Sequence, residues 1–175
     1  MRVAAIVLTM LLVPLAAAAD GIAGMSWDAP QSWAAQGQRP MRAATYVVPG
    51  AGGAEEGECA VFYFGRGQGG SVEANVQRWI GQFEPSEGSS ELETVRSSDE
   101  VNGISMATLE VTGTFLFKPF PAAPQATRRA GYRMLAAIVE GPEGPVFFKL
   151  TAPKATTDAA EADFEKMLAS LRSGS

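Results

Sequence analysis

Asn102-Gly103 stands between two arms of strand-forming residues, Thr94 to Glu100 and Ile104 to Phe117, and nothing else in the chain constrains the fold as much. Both residues tolerate the positive φ that a two-residue turn demands, so the pair predicts a β-hairpin and therefore an antiparallel sheet. The second arm is long enough to bend or bulge near Gly113. Another hairpin is predicted from Tyr132 to Val139 and Val146 to Thr151, across Gly141-Pro142-Glu143-Gly144-Pro145.

Shorter signals fill in the rest. Gly24 to Trp33 predicts a short strand stopped at Pro30, and Met41 to Val48 a second strand ended by Pro49-Gly50. Cys59 to Phe64 is apolar on both faces, as a central strand covered on both sides would be. Ser71 predicts the N-cap of a helix whose apolar stripe is Val72, Val76, Trp79, Ile80 and Phe83, with Glu73 facing the helix dipole. Asn75, Arg78 and Gln82 then fall on the solvent side of that helix. Thr156 or Thr157 is the natural cap of a last helix carrying Phe164, Met167, Leu168 and Leu171. The sum is an α+β fold, an antiparallel sheet of about six or seven strands flanked by two helices.

The first residues read as an export signal. Met1-Arg2 gives a positive start, Val3 to Leu15 an apolar run too short to span a bilayer, and Ala16 to Ala19 a small-residue cleavage site before Asp20. Residues 1–19 are thus expected to be a signal peptide cleaved near Ala19, and 20–175 one globular domain in the periplasm or outside the cell. No later segment is long and apolar enough to span a membrane. Cys59 is the single cysteine, which excludes an internal disulfide, so the apolar core must hold the domain together. Its place in an apolar strand predicts a small buried residue; exposed in an oxidising compartment, it would make covalent dimers. With 14 basic residues against 19 acidic, a net charge of −5 disfavours nonspecific binding to nucleic acid or anionic lipid.

The chain has no histidine. That removes the usual general base, the usual zinc and iron ligand, and every Ser-His or Cys-His nucleophile. The acidic residues gather in turns, Glu55, Glu56 and Glu58, then Glu84, Glu87, Glu91 and Glu93, where solvated charge is the simple reading. Glu110, in mid-strand, is the carboxylate to examine for burial. These residues predict no enzyme, no metal site and no cofactor. Gly65, Gly67 and Gly70 match the dinucleotide pattern G-x-G-x-x-G, but no following parallel strand completes it. Two binding surfaces remain. Arg66, Gly67, Gly69, Gly70 and Ser71 offer an anion the start of a helix, against the simpler reading that the glycines make a tight strand-to-helix turn. Lys118-Pro119-Phe120-Pro121-Ala122-Ala123-Pro124, with Arg128, Arg129 and Arg133 following, offers a protein partner aromatic and guanidinium groups on a Pro-rich loop. The competing reading folds Phe115, Phe117 and Phe120 back onto the core and leaves the arginines solvated.

Trp27-Asp28-Ala29-Pro30-Gln31-Ser32-Trp33 resembles the aromatic and P-x-x-W opening of PsbP-like domains, and the order of strands, helix, hairpins and terminal helix is similar as well. More narrowly, Tyr63-Phe64-Gly65, Gly67-Gln68-Gly69-Gly70, Asn75, Arg78-Trp79 and Gln82-Phe83 resemble a group of exported bacterial proteins of uncharacterised function. The resemblance implies an α/β/α sandwich about an antiparallel sheet and a habit of binding larger proteins, and it brings no catalytic residues. The leading expectation is a noncatalytic exported accessory domain that binds another envelope protein. The alternative is a binder of a small anionic ligand at the Gly-rich turn.

Overall fold

Hairpins set the topology of the computed structural model, which describes residues 20–37, 39–120 and 123–174. In chain order the elements are β1 (Asp20–Ile22), β2 (Met25–Trp27), β3 (Ala34–Ala35), β4 (Arg42–Val48), β5 (Gly57–Tyr63), α1 (Val72–Ile80), β6 (Phe83–Glu84), β7 (Glu93–Val101), β8 (Ile104–Phe117), β9 (Thr127–Gly141), β10 (Gly144–Pro153), α2 (Lys154–Ala169) and β11 (Arg172–Ser173). The main sheet runs β3-β4-β5-β10-β9-β8, and β7 and β6 pair end to end along the outer side of β8. Every one of these pairings is antiparallel. β1, β2 and β11 make a small second sheet that ties the two ends of the described chain together.

Both predicted hairpins form, one closing at Val101↔Ile104 and the other at Gly141↔Gly144. The bend in β8 also falls where the sequence places it, as a register shift between Gly113 and Phe115. Gly113 is required there because a Cβ would run into the carbonyl oxygen of Glu84.

The two helices cover opposite faces of the sheet. On one face Cys59, Val61, Leu135, Ala137, Phe148 and Leu150 pack with Trp27, Tyr46 and the α2 residues Phe164, Met167 and Leu168. On the other, Leu109, Val111, Met134, Ala136, Ile138 and Phe147 pack with Val76 and Trp79 of α1 and with Phe83. The fold is therefore α+β, a helix–sheet–helix sandwich whose central strands are buried on both sides. Cys59 is fully buried, as its strand context predicts.

Four expectations are corrected. The run Gly24 to Trp33 is not one strand: it holds β2 and stops before Pro30, and β3 begins beyond Trp33. β9 starts at Thr127, so Arg128 and Arg129 belong to a strand rather than a loop; Gly131, at φ 68°, breaks the alternation that would have marked it. Asn75 does not face solvent but is wholly buried beneath the turn before α1. Thr156 and Thr157 do not cap α2, which begins at Lys154 after Pro153 with no side-chain cap. Both are buried: Thr156 donates to the Glu55 carbonyl (2.8 Å) and Thr157 to the Arg133 carbonyl (3.1 Å), satisfying hydroxyls that would otherwise be costly to bury.

Among the described residues no helix is long and apolar enough to cross a membrane. The expected signal peptide, residues 1–19, lies outside the described residues.

Candidate functional site

β8 and β9 run past the rest of the sheet, and their far end gathers the aromatic and guanidinium groups singled out in the sequence. Phe115 turns inward, stacked on Tyr132 (5.8 Å between centroids) and tilted against Phe83 (5.2 Å), so it belongs to the core. Phe117 lies partly buried beside it, with the Arg129 guanidinium 4.1 Å from its ring centroid. Such a stack holds Arg129 in place while keeping its charge at the surface. Arg129 also donates to the Tyr132 hydroxyl (3.3 Å), which donates to Glu55 (3.2 Å). Arg128 is exposed on the opposite face of the hairpin end from Arg129, ion-paired across β8 with Glu84 of β6. Phe120 does not fold back: 56% of it is exposed.

Arg133 does not share that surface. It points to the α2 side of the sheet, whereas Arg129 sits with Phe117 and Tyr132 on the α1 side. Its guanidinium contacts Glu110 (2.5 Å), Asp158 (2.8 Å) and Glu161 (2.7 Å), and only 11% of the side chain is exposed. These bonds, those to Glu161 foremost, raise its pKa further. They also hold Glu161 below the usual carboxylate range, while Asp158 is lowered first by Lys154 and then by Arg133. Glu110 is thus a partner in a charge cluster and not a buried acid.

The same cluster divides a groove between α2 and the β7–β8 hairpin. One lobe, about 350 Å³, is walled by Ser97, Asp99 and Val101 of β7 and by Glu161, Glu165 and Leu168 of α2. The other, about 330 Å³, runs on past Glu93 and Val95 to Lys154, and the two share Glu110 and Glu161.

Gly69 anchors the Gly-rich turn to the sheet, while Arg66, Gly67, Gly70 and Ser71 are exposed. Asn75 Nδ2 donates to the carbonyls of Gly69 and Ser71 (both 2.8 Å), and Ser71 Oγ accepts from Ala74 N–H (3.2 Å). A Cβ at Gly69 would stand 2.8 Å from the Phe147 ring. These contacts give Gly69 and Ser71 a structural role in the strand-to-helix turn. The strand before this turn, β5, pairs only with β4 and β10, both antiparallel, so no parallel βαβ unit surrounds the G-x-G-x-x-G run.

Lys149 was not foreseen. It interrupts the apolar run of β10 and lies half-buried on the α1 side, donating to Gln82 Oε1, with its Nζ 5.7 Å from the Phe115 ring centroid. Among the described residues it makes no ion pair, and burial pushes its pKa down to about 8. A lone lysine in the middle of an otherwise apolar strand was the available signal. The groove left no comparable mark, because it depends on where α2 crosses the sheet.

No protein-family model matches this chain, and no curated protein matches it. Among solved structures it is similar to the solution structure of cyanobacterial PsbP from Synechocystis sp. PCC 6803, at a TM-score of 0.49 and 13% sequence identity, over 92% of this chain and 99% of that one. The likeness concerns fold alone. The layout implied by the sequence, an antiparallel sheet between two helices, is the one the two core clusters define.

Proposed function

We propose that this chain is a noncatalytic exported domain, working in the periplasm or outside the cell, that docks onto another protein of the envelope through the end of the β8–β9 hairpin. The observation that carries this reading is the exposure of Phe120 next to the strand ends that hold Phe117, Arg128 and Arg129. An exposed aromatic anchor with fixed guanidinium groups nearby is the composition of an interface hot spot. Arg129 is held over Phe117 before any partner arrives, which lowers the ordering cost of docking.

The paired carboxylates of the groove are not poised as general acids. A general acid at neutral pH needs a raised pKa, whereas Asp158 and Glu161 are held low by Lys154 and Arg133. The sequence supplies no histidine to replace them.

The test is chemical crosslinking of tagged mature protein in its own envelope, with mass spectrometry of the adducts, comparing wild type with Phe120→Ala/Arg128→Ala/Arg129→Ala. One dominant adduct that disappears in the variant is the expected result. An adduct pattern unchanged by the three substitutions would remove this surface from the account.

A further inference from the structure

β7 leaves its outer edge free. All of its residues but Val101 are exposed, it contains no proline, and its nine residues pair without a bulge from Glu93↔Thr112 to Val101↔Ile104. Asn102 and Gly103 both have positive φ, 52° and 79°, the signature of a type I′ turn. In such a hairpin the flanking pair, Val101 and Ile104, exchanges both backbone hydrogen bonds, and the pattern alternates from there. The backbone of Val95, Ser97 and Asp99 therefore bonds to β8, while that of Thr94, Arg96, Ser98 and Glu100 faces away. Asp99 Oδ1 closes one of these outward groups, accepting the Glu100 N–H at 2.7 Å. The outward N–H and C=O groups of Thr94, Arg96 and Ser98 meet no described residue.

An unpaired edge of this length is a template for another strand. Side chains on the groove side of β7 specify which. Glu93 and Asp99 carry negative charge six residues apart, make no ion pair with a described residue, and stand on either side of Val95, which is 55% exposed. On the opposite side, Arg96 is already paired with Glu73. A second copy of the chain fits poorly. In every two-fold register the groove-side residues Glu93, Val95, Ser97, Asp99 and Val101 face one another, so no basic side chain comes opposite Glu93 or Asp99, and centring on Arg96 sets these two like charges against each other. The chain's net charge of −5 adds to that repulsion.

We propose that the β7 edge binds an extended segment of another protein by antiparallel strand addition, taking basic side chains opposite Asp99 and Glu93 and an apolar one opposite Val95. This surface lies on β7 and its groove and stands or falls separately from the Phe120 end.

The probe is a labelled, end-blocked peptide reading lysine, threonine, serine, threonine, valine, threonine, lysine, titrated into mature protein at low salt and followed by fluorescence anisotropy. A peptide with both lysines replaced by glutamate is the control. The lysine peptide is expected to bind at least tenfold more tightly than the control, and to slow hydrogen exchange at the Arg96 and Ser98 amides. Ser98→Pro removes an outward N–H at an edge position where proline is tolerated; it should weaken the lysine peptide at least tenfold without changing the circular dichroism spectrum. Should that variant misfold, Glu93→Lys/Asp99→Lys decides the matter by reversing the preference between the two peptides. Equal binding of both peptides to wild type, or full binding by folded Ser98→Pro, would overturn the proposal. So would concentration-dependent dimers that Ser98→Pro abolishes, which would assign the edge to a second copy.

Discussion

Replacing Lys149 with methionine should make the protein more stable at neutral pH. The lysine is held at about 8 in the native state against an ordinary 10.5, chiefly because burial disfavours its charge. At about 1.4 kcal/mol for each pH unit between those values, the native state carries a penalty of about 3 kcal/mol at pH 7 for keeping the amine protonated. Methionine preserves the length and the packing against Phe115 but loses the hydrogen bond to Gln82, worth about 1 kcal/mol. The net expectation for Lys149→Met is a gain of about 2 kcal/mol at pH 7. Between pH 8 and 10.5 the unfolded chain binds the proton that the native state has released, so wild-type stability rises with pH across that window. The advantage of the variant should accordingly shrink to about zero by pH 10. Urea unfolding of both proteins at pH 7 and pH 10, read by tryptophan fluorescence, measures the difference directly, since other titrations cancel between them. A variant less stable than wild type at pH 7, or a difference that is the same at both pH values, would refute the reasoning.

Three further predictions follow from the buried polar groups. Asn75→Ala removes both side-chain bonds to the Gly69 and Ser71 carbonyls and should cost about 2 kcal/mol, with hydrogen exchange accelerated first in residues 65–71. Arg133→Met leaves three carboxylates together and should cost on the order of 2 kcal/mol at pH 7. Asp158 and Glu161 are depressed below their ordinary 3.8 and 4.5, so the stability they contribute is present above those values and is lost as pH falls through the native ones; wild type and variant should converge in acid unfolding series. Cys59, fully buried and with its thiol pKa raised by burial, should resist thiol reagents under native conditions and react only at the rate of unfolding, measured by mass spectrometry with and without urea.

The sequence made legible whatever is decided within a few neighbouring residues. The Asn102-Gly103 turn, the Ser71 cap and the Gly113 bulge each act through local backbone chemistry, and each is found where it was read. Elements fixed by partners distant in the chain were not legible. β1, β6 and β11 are two or three residues long and exist only because β2 and β8 present edges to them. Asn75 looks like a surface residue on helical spacing alone. Its burial follows from the glycine turn folding back over it, six residues upstream. Arg128, Arg129 and Arg133 were grouped by proximity in sequence, but the pleat sends Arg128 and Arg129 to opposite faces, and the extra residue at Gly131 turns Arg133 to the α2 side, where α2 supplies two of its three carboxylates. The free edge of β7 was hidden for a related reason: the hairpin was predicted, but which of its arms would lie outermost depends on β9 pairing with β8.

The central claim, a protein-docking surface at the end of the β8–β9 hairpin, is met most directly by placing a photoreactive phenylalanine analogue at position 120 and irradiating intact cells. The same analogue at Lys166, exposed on α2, serves as the control position. The account predicts one dominant adduct from position 120 that is absent from position 166 and is lost when Arg128 and Arg129 are both changed to alanine. Equal, diffuse labelling from the two positions would contradict it.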